Sequence, residues 1–156
     1  MKKILIIEDE EPIRRVLKRI LNDENPEFKI TEAIDGNDAI DKLSRNKFDL
    51  AVCDIKMPKK DGLDVLKFAN KKDIITPFIM LTGHGNIETA VEAMKIGAYD
   101  FIEKPPDLNR LLISIKNAFK IKNLQSENNR LKKRLIKKHE MIGNSTKFNN
   151  VIKLID

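Results

Sequence analysis

Short apolar runs alternate with longer amphipathic segments through the first 120 residues of the sequence. The apolar runs are nearly unbroken, which is typical of parallel strands that are covered by helices on both faces. They lie at Ile4–Ile7, Phe28–Ala33, Leu50–Cys53, Pro77–Leu81 and Asp100–Ile102. This alternation predicts an α/β domain built on a parallel sheet.

The segments between the predicted strands have the periodicity of helices. These helices are predicted at Pro12–Leu21, Asn37–Leu43, Leu63–Ala69 and Ile87–Met94, with a last one opening near Leu108. Pro12 suits the first turn of a helix, and the pairs Asp35-Gly36 and Asp61-Gly62 are turn signals in the expected gaps. Five such units predict a doubly wound (βα)5 domain.

The basic charge of the chain is confined to its end. The chain has 30 Lys and Arg against 24 Asp and Glu, a formal net charge of +6, which at first suggests a nucleic-acid binder. Residues 1–120, however, contain 21 basic and 21 acidic residues, whereas residues 121–156 contain 9 and 3. The predicted α/β domain is therefore electrically balanced, and the excess belongs to a separate tail.

Two further features indicate a cytoplasmic protein that does not enter a membrane. Cys53 is the single cysteine, which excludes an intramolecular disulfide and fits a reducing compartment. The four aliphatic residues between Lys3 and Glu8 are too few for a signal peptide, and no apolar run approaches the roughly 18 residues of a membrane span.

Polar side chains follow four of the predicted strands. Glu8, Asp9 and Glu10 follow the first strand, Asp54 the third, Thr82 the fourth and Lys104 the fifth. Each alone is typical of a solvated loop or of a strand end. The carboxyl ends of parallel strands meet at one edge of the sheet, however, so we expect these side chains to converge there.

Such a cluster suits phosphoryl transfer. Crowded carboxylates repel one another unless a cation neutralises them, and Glu8, Asp9 and Asp54 offer the oxygen ligands that Mg2+ prefers. Asp54 is then placed to attack a phosphoryl group as a nucleophile, while Lys104 pairs with one phosphoryl oxygen and Thr82 donates a hydrogen bond to another.

Four motifs make residues 2–120 resemble the response-regulator receiver domains of two-component signalling. They are the acidic triplet after the first strand, the segment 54–62 (Asp-Ile-Lys-Met-Pro-Lys-Lys-Asp-Gly), the segment 81–85 (Leu-Thr-Gly-His-Gly), and the segment 97–105 (Gly-Ala-Tyr-Asp-Phe-Ile-Glu-Lys-Pro). The resemblance implies a flavodoxin-like fold with parallel strand order 2-1-3-4-5. It also implies a cis peptide bond between Lys104 and Pro105.

The same resemblance implies roles for individual residues. Asp54 accepts a phosphoryl group from a sensor histidine kinase, and Lys104 is the phosphate partner. Mg2+ is held by Glu8, Asp9, Asp54 and the backbone carbonyl of Lys56. Thr82 and Tyr99 form the switch pair that responds to phosphorylation. The domain modifies its own side chain, so we expect a signalling module rather than an enzyme.

The tail carries a heptad pattern. The seam positions a and d are occupied by Ile121, Leu124, Asn128, Leu131, Leu135, Lys138 and Ile142. Most are aliphatic, and an asparagine at position a favours a defined register in a parallel two-stranded coiled coil. Residues 121–142 are therefore predicted to form a helical linker that joins two copies in a homodimer, with a single solvated basic helix as the alternative.

Residues 143–156 are similar to the opening of the AAA+ ATPase domain in NtrC-like and NtrX-like activators of sigma-54 RNA polymerase. No phosphate-binding Gly-x-x-x-x-Gly-Lys-Ser/Thr loop occurs, so this chain is not itself the ATPase. We expect a receiver domain in residues 1–120, a linker, and the start of a truncated ATPase domain. Sigma-54 RNA polymerase and DNA are then contacted only through domains absent from the chain.

Two other functions remain open. One is a stand-alone receiver that acts as a phosphorelay or docking module, against which residues 121–156 argue. The other is a Mg2+-dependent phosphatase that turns over through an aspartyl phosphate. Haloacid-dehalogenase-type phosphatases need a second acid two residues after the nucleophile, and that position is Lys56.

Overall fold

Five parallel strands form one sheet at the centre of the fold, in a computed structural model that describes residues 1–83 and 86–121. The strands are β1 (Lys3–Ile7), β2 (Lys29–Ala33), β3 (Leu50–Asp54), β4 (Phe78–Thr82) and β5 (Asp100–Glu103). Their order is β2-β1-β3-β4-β5, and every neighbouring pair is parallel. The predicted strand order is confirmed.

Helices cover both faces of this sheet. They are α1 (Glu11–Glu24), α2 (Gly36–Arg45), α3 (Gly62–Lys71), α4 (Ile87–Ile96) and α5, which takes up the described residues 108–121. Alternate side chains of β1 enter different cores: Ile4 and Ile6 pack with residues of α1 and α5, and Leu5 and Ile7 pack with residues of α2, α3 and α4. Burial on both faces explains why the strands are continuous apolar runs.

The observed elements differ from the predicted ones only at their ends. β2 begins at Lys29 rather than Phe28, because the Phe28 backbone N–H donates to Asn25 in a turn, 3.1 Å away. β4 begins at Phe78 rather than at Pro77, which has no N–H to donate. The first four helices extend beyond the apolar periodicity because polar residues continue the backbone hydrogen bonds after the buried face has ended.

The chain divides into two units, Met1–Phe119 and Lys120–Asp156. The predicted linker, its seam residues beyond Ile121, and the segment 143–156 lie outside the described residues. The cis peptide bond between Lys104 and Pro105 is present. Within residues 1–83 and 86–121, no helix combines the length and the apolar character needed to cross a lipid bilayer.

An ionic contact fastens α5 to β5. Arg110 donates two hydrogen bonds to the Asp100 carboxylate, at 2.7 and 3.0 Å, and the Ser114 hydroxyl donates a third at 2.8 Å. Burial disfavours the charged form of Asp100, but these bonds and one from the Phe101 N–H outweigh it and hold the pKa of Asp100 below its ordinary value. The contact therefore stabilises the fold when Asp100 is ionised.

We predict that Asp100→Asn lowers the free energy of unfolding by about 1 kcal/mol at neutral pH, since the pair is partly exposed. A carboxylate whose pKa is lowered in the folded state stabilises the fold fully above its unfolded-state pKa. This stabilisation is lost as the pH falls through the folded-state pKa. The difference between the wild type and the variant should therefore shrink below about pH 4. Urea unfolding followed by circular dichroism measures it.

Asp41→Asn is the matched control, because Asp41 pairs with Arg45 on the exposed face of α2. Its effect should be smaller at neutral pH. A deficit of Asp100→Asn that stays constant between pH 7 and pH 3 would contradict this electrostatic account.

Candidate functional site

Three acidic side chains meet at the carboxyl edge of the sheet. Glu8 directly follows β1 and Asp54 ends β3, and these two strands are neighbours. Carboxylate oxygens of Glu8, Asp9 and Asp54 all lie within 4.8 Å of one another. Glu8 is completely buried, and Asp54 is only 3% exposed. The convergence predicted from the strand ends is therefore observed.

The environment of this cluster is short of positive charge. The pKa of Glu8 is raised to about 8, first by burial and then by the hydrogen bond and charge of Asp54, against the opposing charge of Lys104. Within the described part of the chain, Glu8 Oε2 and Asp9 Oδ1 are buried and have no hydrogen-bond partner. Unpartnered buried carboxylate oxygens within a cluster of three acids fit the donor set of a divalent cation such as Mg2+.

Lys104 is the basic residue that reaches into the cluster. Its Nζ lies 3.0 Å from Asp54 Oδ1 and 3.3 Å from Glu8 Oε1. Burial disfavours its charged form, but the hydrogen bond and charge of Asp54, together with Glu8, outweigh burial and raise the pKa of Lys104. A cationic ammonium is therefore held directly beside the carboxylate that the sequence marks as the nucleophile.

Thr82 ends the strand that lies between Asp54 and Lys104. It is buried, it stands opposite Glu103 in the sheet register, and its carbonyl accepts the Lys104 backbone N–H at 2.7 Å. On the other side of β4, Asp54 pairs in register with Leu81. The Thr82 hydroxyl is thus carried to the same edge of the sheet as the acidic cluster.

Two close approaches shape the loop between β3 and α3, which contains Lys56. The Gly62 N–H donates to the Ile55 carbonyl at 2.8 Å, and a Cβ at Gly62 would come within 2.4 Å of the Asp54 carbonyl oxygen. A Cβ at Gly36, at the start of α2, would come within 2.3 Å of the Lys60 carbonyl oxygen. Glycine at both positions lets the loop turn back tightly beside Asp54.

Tyr99 directly precedes β5, at the end of that strand away from the cluster. Its N–H donates to the Phe78 carbonyl, whereas Thr82 lies four residues further along β4. At 3.3 Å per residue this separation is about 13 Å along the strand. The structure therefore does not bring together the predicted switch pair. Phe101 lies nearer along β5, and it packs against the same core cluster as Met80, whose side chain shares a sheet face with that of Thr82.

Cys53 precedes the central aspartate but belongs to the core. It is completely buried within the cluster that faces α2, α3 and α4, and burial is the main cause of the raised pKa of its thiol. Its Sγ lies 3.3 Å from the Asp54 carbonyl oxygen, to which it donates a weak hydrogen bond. Cys53 is therefore a small side chain of the core.

One contact at the site was missed at the level of sequence. Arg14 Nη1 donates to the backbone carbonyl of Glu8 at 2.9 Å. Because the acceptor is a backbone carbonyl, the contact cannot be predicted from complementary side-chain types. The available signal was positional: an arginine in the first turn of the helix that follows the acidic triplet is close enough to reach back to it.

Comparison with protein families gives one match over most of the chain. Residues 4–116 match the response regulator receiver domain. An NtrX-like response regulator of Rickettsia bellii is 40% identical over 145 residues, which are 92% of this chain and 30% of the relative. The nitrogen assimilation regulatory protein NtrX of Azorhizobium caulinodans is 36% identical over 98% of this chain and 34% of its own length. The chain thus spans about a third of these curated relatives.

Solved structures show the same fold. The receiver domain of NtrX from Brucella abortus is 38% identical and superimposes with a TM-score of 0.70, over 75% of this chain and 98% of that one. A receiver domain from Clostridium thermocellum is 33% identical with a TM-score of 0.75, over 80% of this chain and 99% of that one. With its five-stranded order and its acidic edge, the chain belongs to the response regulator receiver family.

Proposed function

We propose that this chain is a phosphoacceptor that takes a phosphoryl group from a sensor histidine kinase onto Asp54. The observation that carries the proposal is the pairing of a nearly buried Asp54 carboxylate with Lys104 at 3.0 Å, inside a cluster of three acids whose oxygens lie within 4.8 Å. A buried carboxylate with a fixed ammonium beside it is well placed for attack on an anionic group.

The ion that best fits the cluster is Mg2+. Glu8, Asp9, Asp54 and the backbone carbonyl of Lys56 are the proposed ligands, and the unpartnered oxygens of Glu8 and Asp9 support this set. When bound, the ion neutralises the carboxylates and the phosphoryl oxygens that approach them. The side chain of Lys56 is exposed, so its proposed contribution is limited to the backbone.

The transfer needs little more than positioning by the protein. An Asp54 carboxylate oxygen attacks phosphorus, the P–N bond of the donor phosphohistidine breaks, and the imidazole nitrogen keeps the electron pair. The product is an aspartyl phosphate. Lys104, now relieved of the Asp54 charge, pairs with a phosphoryl oxygen, and the buried Thr82 hydroxyl donates to another.

A groove beside Lys104 supports the docking of a donor protein. It has a volume of about 440 Å3 and lies between Ile13, Val16 and Leu17 of α1 and the prolines Pro105 and Pro106. Val16 is 54% exposed, although it is aliphatic. An apolar groove next to the proposed acceptor gives a histidine-bearing partner a surface on which to bring its phosphoryl group to Asp54.

The proposed switch begins at Thr82. A dianionic phosphoryl group on Asp54 draws the Thr82 hydroxyl towards it, and the vacated space lets a neighbouring aromatic ring turn inward. The strand register favours Phe101 over Tyr99 as that ring, since Phe101 lies closer to Thr82 along β5. The face formed by α4 and β5 then changes shape.

The proposed output is a change in the dimer and in an attached transcriptional ATPase of the sigma-54 class. Its support is the heptad pattern of residues 121–142, the resemblance of residues 143–156, and the greater length of the NtrX relatives. A stand-alone receiver would have no use for either segment. A reducing cytoplasm is the proposed location, and it suits the free Cys53.

We predict that Asp54→Asn abolishes phosphorylation. Incubated with acetyl phosphate and Mg2+, the wild-type chain should gain the mass of one base-labile phosphoryl group, because Asp54 is the proposed nucleophile and Lys104 Nζ lies 3.0 Å from its carboxylate. Asp41→Asn changes an exposed aspartate in the same way and should leave the uptake intact. Intact-protein mass spectrometry measures it.

EDTA should suppress the uptake in the wild type, since the proposed chemistry needs the ion. Undiminished labelling of Asp54→Asn would refute the assignment. Sustained hydrolysis of p-nitrophenyl phosphate by the wild type would instead favour the phosphatase.

The dimer proposal makes a separate prediction. Light scattering should give the mass of a dimer for residues 1–156 and of a monomer for residues 1–120, because the apolar seam lies in the removed segment. Salt should strengthen the dimer, since like charges on two parallel helices repel and are screened. A monomer in both forms would contradict the proposal and favour the single solvated helix.

A further inference from the structure

Arg14 has no part in the transfer just described, yet its side chain is only 13% exposed at the edge of the acidic cluster. Its Nη1 donates to the Glu8 carbonyl at 2.9 Å, and its Nε lies 3.4 Å from Glu32 Oε1. Glu32 Oε2 in turn lies 3.6 Å from Lys18 Nζ. The guanidinium is thus held between β2 and the turn that follows β1.

These contacts fix a particular piece of backbone. The Glu8 N–H donates to the Ala33 carbonyl at 3.1 Å, and the Glu8 carbonyl accepts from Arg14. That carbonyl belongs to the peptide unit that joins Glu8 to Asp9, so a displacement of this unit would move both carboxylates relative to Asp54. Glu32 and Ala33 are adjacent on β2. The direct hydrogen bond to Ala33 and the indirect contact through Arg14 to Glu32 therefore connect Glu8 to the same strand.

Arginine is chemically suited to this place. Its planar guanidinium donates from Nη1 to the Glu8 carbonyl and places Nε in ionic contact with the Glu32 carboxylate, where Nε makes no hydrogen bond within the described residues. A lysine ammonium, by contrast, acts as a point charge on a flexible stem. The charge of Arg14, however, opposes the binding of a cation nearby. If Arg14 acted only through its charge, removing that charge would strengthen cation binding. If Arg14 positions the ligands, the same change would weaken it.

We propose that Arg14 is a positioning residue, which holds the Glu8–Asp9 peptide so that the carboxylates on both sides of it face Asp54 and bind Mg2+. The proposal rests on the proposed function, from which it takes the ion. Glu32 supports Arg14 by fixing the guanidinium against β2.

Calorimetric titration of the full chain with Mg2+ tests the proposal in three variants. Arg14→Gln should weaken Mg2+ binding roughly tenfold, the usual scale for losing a residue that orients a metal ligand. Arg14→Lys keeps the charge but loses the planar guanidinium, and should also bind Mg2+ more weakly than the wild type. Arg15→Gln removes the same charge one residue away, from an exposed side chain paired only with Glu11 among the contacts described, and should leave the affinity unchanged.

Hydrogen exchange in EDTA gives a readout that does not involve the ion. The Glu8 amide should exchange faster in Arg14→Gln than in Arg15→Gln, because residue Glu8 loses the hydrogen bond to its carbonyl and keeps only the one from its N–H to Ala33. If Arg14→Gln fails to fold, as judged by circular dichroism, Arg14→Lys carries the same comparison.

Mg2+ affinity equal to or tighter than that of the wild type in both Arg14 variants would overturn the proposal, whatever their stability. Failure of the proposed function looks different: the wild type itself would then show no heat of Mg2+ binding. That result would contradict both the metal site and the proposed positioning role of Arg14.

Discussion

Repulsion among three closely spaced carboxylates is the constraint on which the site depends. Glu8 and Asp54 are almost completely buried, and burial with like charge costs several kcal/mol per ion unless opposite charge is supplied. Lys104 supplies one positive charge, at 3.0 Å from Asp54. Burial, together with the hydrogen bond and charge of Asp54, still raises the pKa of Glu8 against the opposing charge of Lys104. In the proposed function, a divalent cation supplies the positive charge that is still needed.

The fold serves this electrostatic arrangement through strand order. β1 and β3 are neighbours, so the acids that follow them meet, and β4 and β5 then carry Thr82 and Lys104 to the same edge. Burial of the strands on both faces makes the sheet a rigid base for the cluster. Flexible loops would not hold like charges this close, because the acids would separate into water.

The strands, and the convergence of the acids with Lys104, could be predicted from the sequence. An apolar run followed by a polar residue is enough to recognise where a strand ends. The sequence did not suffice to place the aromatic residues near the last strand relative to Thr82. Tyr99 and Phe101 lie two residues apart, just before and within the last predicted strand, and the strand register shows which is nearer to Thr82. The contact of Arg14 could not be predicted because its acceptor is a backbone carbonyl. The simultaneous pairing of Lys104 with Glu8 and Asp54 is visible only from the distances between atoms.

The central claim is that a divalent cation relieves the repulsion at the acidic edge, and the stability of the wild-type chain tests it most directly. Urea unfolding would be followed by circular dichroism in EDTA and at increasing Mg2+ concentrations, at constant ionic strength. The account predicts a free energy of unfolding that rises with the logarithm of the Mg2+ concentration once binding saturates, as for one ion bound to the folded state. Identical unfolding curves in EDTA and in millimolar Mg2+ would contradict it.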